Sequence, residues 1–420
     1  MRDRRPVNTD RFGNRLDPSV GFARGTYLTG SAAEVRRMRH AQAVAARRDP
    51  ASIAIFTGNP RHFPLQPEDL EVWCEEWVGP GHFAPRLTKA AQEHFGGGET
   101  AAVVNRTSAG IIAAVLALAN GKPVVSLVPE GDRSHASLLR GAKLAGVPVE
   151  EVSNLDAMQA ALASHAPALA VVTTVTSTLA RIDDDLSRAC IAVAKATGAT
   201  VFLDEAYGAR LRPILHGGAK SLTLGADFAI TNTDKAGLSG PRAGVLCGAT
   251  APVVATLAKT SELGQEARAP IAAGAMRSLE KSNPEDLRLE ARDGQTISAV
   301  LAATWGADVV KRSDLGPIIG EEDVLARVLA HAGRDRCDLV PAEATALVGM
   351  RMLECHGVLT VNTHGVPGGR VSLRLKPVSG ALDRVGGPGA LADELEAAVE
   401  TVARHLDDPA WIAATLFGEP

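Results

Sequence analysis

The stretch Val201-Phe-Leu-Asp-Glu-Ala-Tyr-Gly208 joins an apolar run to two acids, a small residue and an aromatic ring. The apolar run predicts a buried strand over residues 200–206, with the acids near its end. In open α/β sheets, ligands bind beyond the carboxyl ends of the strands, so Asp204 is predicted to face a ligand site. The alternative is a cap or turn role, which is common for Asp at the end of a strand.

A second informative stretch is Thr231-Asn-Thr-Asp-Lys-Ala-Gly-Leu-Ser-Gly-Pro-Arg-Ala-Gly244. It places Lys235 after another predicted strand, among small polar residues and ahead of glycines that let the backbone approach a ligand closely. We interpret Lys235 as a candidate functional amine. The alternative is an ordinary solvent-exposed lysine.

Two further candidate segments lie upstream. The segment Asn105-Arg-Thr-Ser-Ala-Gly-Ile111 predicts the end of a strand followed by the start of a helix. The N–H groups and dipole of a helix start favour an anion by roughly 0.3–1 kcal/mol, and by up to about 2 kcal/mol when partly buried. Ser134-His-Ala-Ser137 opens the next predicted helix, and His135 is either functional or a capping or core histidine.

Short apolar strands alternate with helices through the middle of the chain. We predict strands at 101–105, 123–129, 168–176, 200–206, 228–232 and 244–247, and helices at 85–95, 108–120, 134–145 and 186–197. Strands that are apolar on both faces and alternate with helices indicate a mostly parallel sheet flanked by helices. The predicted fold class is therefore α/β.

Four segments are predicted along the chain. Residues 1–84 form a basic N-terminal segment, 85–283 a large domain, 284–304 a connecting helix and 305–420 a smaller C-terminal α/β domain. Residues 1–50 contain eleven arginines and five acids. This charge is consistent with a solvated helix face or a face that covers a partner subunit, and RNA contact is the alternative.

Composition excludes several classes of protein. The chain has 420 residues, a formal net charge of -4 and 45% hydrophobic residues, as expected for a globular protein without a polycationic nucleic-acid-binding composition. No apolar stretch reaches the roughly 20 residues of a membrane span. The five cysteines show no ligand or disulfide spacing, so we expect a cytoplasmic location and no structural zinc. The run Asp183-Asp-Asp185 is interpreted as a helix start and not as a metal site.

The order of a phosphate-type helix start, a ring residue, an acid at a strand end and a later lysine resembles fold-type I pyridoxal-phosphate (PLP) enzymes, the aminotransferase-like superfamily. Within it, the chain is most similar to the selenocysteine-synthase-like group (L-seryl-tRNA selenium transferase) and its archaeal relatives. Residues 233–244 and the block Pro341-Ala-Glu-Ala-Thr-Ala-Leu-Val-Gly-Met350 carry this finer resemblance. The N-terminal segment is shorter than in bacterial selenium transferases, which counts against a tRNA partner.

The resemblance implies a role for each candidate residue. Lys235 would form an imine with the PLP aldehyde, and Asp204 would pair with the pyridine nitrogen and keep it protonated. His135 would stack on the cofactor ring. Tyr207 would be a hydrogen-bond donor or acid/base, or else a packed ring. The residues implied to bind the cofactor phosphate are Thr107, Ser108, Ala109 and Gly110, helped by Thr231 or Thr233.

Family members commonly bind the substrate carboxylate with an arginine from the small domain. The segment Gly369-Arg-Val-Ser-Leu-Arg-Leu375 offers Arg374, which we prefer, and Arg370. Arginine suits this task because its planar guanidinium pairs with a carboxylate through two hydrogen bonds.

The resemblance implies chemistry at the β-carbon of an amino acid or derivative, by elimination or replacement. The alternatives are an aminotransferase, a decarboxylase or a racemase, and, from another class, a tRNA-associated protein with a PLP fold. The resemblance also implies a homodimer or a larger homo-oligomer.

Overall fold

The computed structural model describes residues 9–17, 20–60, 63–364 and 371–418. The described residues form the following strands: β1 (Leu16–Asp17), β2 (Phe22–Ala23), β3 (Ala54–Phe56), β4 (Thr100–Val104), β5 (Val124–Leu127), β6 (Val149–Val152), β7 (Leu169–Thr173), β8 (Thr200–Asp204), β9 (Phe228–Asn232), β10 (Gly244–Gly248), β11 (Lys311–Ser313), β12 (Gly316–Ile319), β13 (Val358–Thr360) and β14 (Leu373–Arg374).

The same residues form these α-helices: α1 (Ser31–Ala46), α2 (Pro67–Val72), α3 (Gly79–Phe95), α4 (Thr107–Leu118), α5 (Ala136–Ala145), α6 (Leu155–His165), α7 (Asp184–Ala196), α8 (Gly208–Leu215), α9 (Thr250–Glu262), α10 (Ala269–Glu280), α11 (Pro284–Trp305), α12 (Glu321–Ala332), α13 (Pro341–His356), α14 (Val361–His364), α15 (Ala381–Arg384), α16 (Pro388–Arg404) and α17 (Pro409–Phe417). Short 3-10 helices lie at Pro50–Ser52 and Ser221–Leu224. The chain divides into two compact units, residues 59–288 and residues 1–58 with 289–420.

The unit of residues 59–288 is built on a seven-stranded sheet in the order β4-β10-β9-β8-β7-β5-β6. β10 runs antiparallel to both of its neighbours, and the remaining pairs are parallel. The mostly parallel α/β sheet predicted from the sequence is confirmed.

Helices cover both faces of this sheet. Side chains alternate along each strand, so neighbouring residues pack against helices on opposite faces. On β8, Phe202 packs with residues of α4, α5 and α9 on one face. Val201 and Leu203 pack with residues of α3, α7 and α10 on the other face. Four strands of this sheet, β5, β7, β9 and β10, are buried at every residue, which matches their continuous apolar runs.

The strand register decides which residues meet at the carboxyl edge of the sheet. Thr173 of β7 pairs with Asp204 of β8, and Asp204 pairs with Ile230 of β9. The polar segments that follow β7, β8 and β9 therefore leave the sheet side by side.

The described residues of the unit 1–58 and 289–420 form three small sheets. β1 pairs antiparallel with β2, β12 pairs antiparallel with β11 and β14, and β13 pairs in parallel with β3. Helix α13, which begins with the block Pro341–Met350 of the sequence analysis, is buried along most of its length. Its Glu343 carboxylate accepts hydrogen bonds from the backbone N–H groups of Tyr27 (2.6 Å) and Leu28 (2.8 Å), tying the N-terminal segment to this helix.

Several N-terminal arginines bind groups within their own unit. Arg11 pairs with Asp323 at 2.8 Å, and Arg24 pairs with Asp17 at 3.3 Å. Arg37 is buried and donates to two backbone carbonyls of α14. Part of the basic charge of this segment therefore serves internal packing. No helix within the described ranges is both long and apolar enough to cross a membrane.

Candidate active site

Asp204 ends β8 at the carboxyl edge of the sheet, and its side chain is 5% exposed. The Ala206 N–H donates to Asp204 Oδ1 at 3.4 Å. Burial raises the pKa of the Asp204 carboxyl to about 6; the nearby Glu205 charge also raises it, while the Ala206 hydrogen bond and the Lys235 charge oppose the rise. A buried acid with a raised pKa at a strand end is a candidate for function.

Thr173 lies beside Asp204 on the neighbouring strand, with its side chain buried. Its Oγ1 has no hydrogen-bond partner among the described residues. Buried hydroxyls are normally paired, so this atom marks a place where a polar group of a ligand fits.

Lys235 follows β9 at the same edge and is half-buried. Its Nζ lies 4.6 Å from the centre of the Tyr207 ring, within range for a cation–π contact. A hydroxyl role and a packed ring are the two roles expected for Tyr207, and in the structure its aromatic face contacts the amine. Asp204, Tyr207 and Lys235 thus lie close together.

The two residues after Lys235 have left-handed backbone, with φ of 53° at Ala236 and 79° at Gly237. A Cβ at position 237 would lie 2.9 Å from Cβ of Leu287, so glycine meets both the conformation and the close approach. For Ala236 the left-handed conformation costs roughly 1–2 kcal/mol. The loop that carries the lysine is therefore held in its shape by its surroundings.

Thr107, Ser108, Ala109 and Gly110 form the first turn of α4, as predicted for the helix start. A Cβ on Gly110 would lie 2.3 Å from Ile230 Cδ1, so glycine lets this turn lie against β9. Gly244 similarly allows β10 to approach the Thr107 backbone. The N–H groups of Ala109 and Gly110 already donate to the Arg106 carbonyl, at 2.9 and 3.2 Å. The turn can therefore hold an anion through the N–H groups of Thr107 and Ser108 and through its dipole.

Thr231 and Thr233 are buried at and just beyond the end of β9. The Thr231 hydroxyl donates to the Glu205 carbonyl at 2.8 Å, and the Thr233 hydroxyl donates to the Pro241 carbonyl at 2.7 Å. Both hydroxyl protons therefore support the strand ends, and phosphate binding by these residues stays a prediction.

His135 is exposed and caps helix α5. Its Nδ1 accepts a hydrogen bond from the Ser137 N–H at 3.2 Å. This is the capping role that the sequence analysis gave as the alternative, and stacking on a cofactor ring stays a prediction.

Of the two arginines predicted to bind a substrate carboxylate, only Arg374 is among the described residues. Arg374 is a buried residue of β14, and its Nε donates to Ser372 Oγ at 2.9 Å. Arg370 lies outside the described residues.

A buried ionic network next to Asp204 was not predicted from the sequence. Glu205 is fully buried and pairs with Arg212 at 2.8 Å, and it accepts a hydrogen bond from Ser221 Oγ at 2.7 Å. Arg212 also pairs with Asp184 at 2.8 Å. The sequence shows only that Arg210 and Arg212 follow the acidic stretch, and this spacing alone does not reveal that both are buried.

Asp183 and Asp184 of the 183–185 run have structural roles. Asp183 caps α7 by accepting a hydrogen bond from the Leu186 N–H at 2.7 Å, as the helix-start interpretation predicted. Within the described part of the chain, no three His, Cys, Asp or Glu side chains come together as a metal site.

No family model matches the chain. A UPF0425 pyridoxal phosphate-dependent protein of Methanothermobacter thermautotrophicus is 34% identical over 349 residues, which are 81% of this chain and 87% of the relative. A protein of the same description from Methanosphaera stadtmanae is 29% identical over 325 residues, 77% of this chain and 82% of the relative.

Solved structures show the same fold at lower identity. A SepCysS complex with the N-terminal domain of SepCysE matches with a TM-score of 0.57 and 15% identity, over 85% of this chain and 97% of that chain. L-threonine transaldolase from Pseudomonas fluorescens matches with a TM-score of 0.57 and 15% identity, over 92% of this chain and 88% of that chain. These matches confirm the fold-type I architecture, but they do not single out selenocysteine synthase.

Proposed function

Because the chain belongs to the UPF0425 family of pyridoxal phosphate-dependent proteins, we propose that it is an enzyme that uses this cofactor on an amino acid or derivative. The cofactor itself follows from the family. The observation that carries the enzymatic role is the meeting of a buried acid, Asp204, and a half-buried amine, Lys235, at the carboxyl edge of the sheet.

The described residues fit the chemical groups of the cofactor. An aldehyde needs an amine, and Lys235 supplies one. A basic ring nitrogen needs an acid, and Asp204 supplies one in a place shielded from water. The buried Thr173 hydroxyl, without a partner among the described residues, is a third polar group at this edge.

We assign the phosphate to the first turn of α4, through the N–H groups and hydroxyls of Thr107 and Ser108, with the small residues Ala109 and Gly110 completing the turn. Thr231, near the end of β9, or Thr233, just beyond it, assists. His135 covers the cofactor ring from the loop after β5.

When bound, PLP stabilises negative charge on the substrate α-carbon, and the protein decides which bond breaks. We propose β-elimination or β-replacement as the reaction, with transamination, decarboxylation or racemisation as the alternatives. Arg374, or Arg370, holds the substrate carboxylate. Lys235 is the proposed proton carrier, because a lysine amine can act as a general base.

We further propose that the enzyme is cytoplasmic and at least a homodimer. No observation on the described residues favours tRNA as a partner, since several N-terminal arginines make internal contacts. A salt-sensitive complex with a tRNA pool would bring that alternative back.

The test is a screen of D- and L-amino acids against the purified protein loaded with PLP, followed through the cofactor's visible absorption. Substrates change the spectrum, and their products separate the reactions: keto acid with ammonia, amine with carbon dioxide, or the opposite enantiomer. A protein that remains colourless after saturation with PLP would contradict the proposed function.

A further inference from the structure

Arg210 lies at the centre of a hydrogen-bond network that joins the two strand ends of the candidate active site. It belongs to helix α8, and its side chain is 1% exposed. Its Nη2 donates to the Ala206 carbonyl at 3.1 Å, just beyond Asp204. Its Nε donates to the Ala236 carbonyl at 2.9 Å, just beyond Lys235.

The same guanidinium also holds the end of β9. Nη1 donates to Thr231 Oγ1 at 2.9 Å and to the Asn232 carbonyl at 3.2 Å. Nη2 donates to Asn232 Oδ1 at 2.8 Å. A planar group with five N–H donors can bridge all of these acceptors at once, which the compact ammonium of a lysine cannot do.

A neighbouring histidine supports this arrangement. His94 Nε2 lies 3.3 Å from Arg210 Nη1. Burial and the charges of Arg210 and Lys220 lower the pKa of His94 to about 3, so its ring is neutral at physiological pH and adds no positive charge beside Arg210.

Ala236 is the residue in this loop that most needs support. Its left-handed backbone is unfavourable for a residue with a Cβ, and its carbonyl is fixed by Arg210 Nε. Holding this carbonyl fixes the backbone of Ala236, the residue to which Lys235 is directly bonded.

We propose that Arg210 is a positioning residue that sets the Lys235 amine relative to Asp204 for capture of the cofactor aldehyde. This inference rests on the proposed function. In the capture step, the Lys235 nitrogen forms a C=N bond with the aldehyde carbon, and the aldehyde oxygen leaves as water with the two amine hydrogens. Arg210 takes no part in that exchange and acts through the loop alone.

The experiment compares two cofactor forms on the apoprotein of Arg210→Gln and of the parent. Pyridoxal phosphate requires Lys235 for its covalent bond, whereas pyridoxamine phosphate has no aldehyde and reports only on the noncovalent site. We expect Arg210→Gln to bind pyridoxamine phosphate within about threefold of the parent affinity and to capture pyridoxal phosphate at least about tenfold more slowly, since small misplacements of reacting groups are costly. Arg210→Lys should recover only part of the capture rate.

Arg277→Ala is the matched control. Arg277 lies in the same unit and forms an ion pair with the buried Asp69 at 2.7 Å, so its loss should lower stability without slowing capture. Equal losses with both cofactor forms, or unchanged capture in Arg210→Gln, would overturn the proposal. If Arg210→Gln does not fold, the same comparison on Arg210→Lys decides between these results. Failure of the parent itself to give a borohydride-reducible bond at Lys235 would instead refute the proposed function.

Discussion

Replacing Asp204 with asparagine should make the cofactor-free protein more stable as the pH rises. Asp204 is buried, and its pKa is raised from 3.8 to about 6. A carboxyl group with a raised pKa binds its proton more tightly in the folded chain. Its contribution to stability is complete below pH 3.8 and is lost as the pH rises through about 6. Asparagine has nearly the same shape and carries no charge.

The magnitude follows from the two pKa values. Their difference corresponds to ~3 kcal/mol in the free energy of unfolding at high pH, because one pKa unit equals 1.36 kcal/mol. Integrating the linkage relation gives ~1.4 kcal/mol of that change between pH 5 and pH 8. For a unit of this size, that is roughly 3–6 °C in melting temperature.

The assay is calorimetry of the apoprotein and of Asp204→Asn at pH 5 and pH 8. We expect the melting temperature of the variant, relative to the parent, to rise by roughly 3–6 °C between these two pH values. A relative melting temperature that does not depend on pH would refute the reasoning, because it would mean that ionised Asp204 is not penalised by burial.

Glu205→Gln is the control for this measurement. Glu205 is also buried, but its carboxylate pairs with Arg212 at 2.8 Å. Removing one partner of a buried ion pair destabilises by roughly 3–5 kcal/mol. The two neighbouring substitutions should therefore change stability in opposite directions at pH 8. Saturation with PLP should stabilise the parent more than Asp204→Asn, and the variant should turn over substrate slowly.

Four other predictions concern the lysine loop and the assembly. Lys235→Ala should abolish the visible absorption of the cofactor-bound protein; an unchanged spectrum would point to another anchor, first Lys220. Tyr207→Leu should lower the free energy of unfolding of the cofactor-free protein by roughly 0.5–2 kcal/mol and Tyr207→Phe should leave it unchanged, because the ring face contacts Lys235 Nζ; denaturant titrations measure this, and equal losses in both variants would indicate a hydroxyl role. Gly237→Ala should lower the free energy of unfolding by roughly 1–2 kcal/mol in denaturant titrations, because its φ is 79° and the added Cβ meets Leu287; unchanged stability would contradict the packing argument. Sedimentation should give at least a dimer, and a fully active monomer would contradict this.

Strands that are buried on both faces were the most predictable part of the fold. The strand predicted at residues 228–232 coincides with β9, and the one predicted at 200–206 contains β8. β6 was not predicted, because it lies at the edge of the sheet and its sequence Val149-Glu-Glu-Val152 has exposed acids instead of an apolar run. The parallel pairing of β3 with β13 joins strands of three residues each about 300 positions apart, and such short strands carry no signal of their partner.

The candidate site was predictable where a residue type marks both position and chemistry. Asp204 ends one apolar strand and Lys235 follows another, so the sequence alone predicts both at one edge of the sheet. Arg210 could not be identified in this way. Its significance comes from acceptors on three separate segments of chain, and an arginine in a helix is usually exposed.

Two adjacent acids, Asp204 at the end of β8 and Glu205 directly after it, differ in their environments. Glu205 is a structural carboxylate, and Asp204 is available to a ligand. Glu205 receives a guanidinium and a hydroxyl at hydrogen-bonding distance, so its charge is compensated within the protein. Asp204 receives a long backbone hydrogen bond of 3.4 Å, and burial raises its pKa. A carboxylate that is buried with weak compensation costs free energy in the empty protein, and a cationic partner brought by a ligand recovers that cost. The acid that destabilises the free chain is therefore the one suited to hold a protonated ring nitrogen, and Glu205, directly beside it, is not.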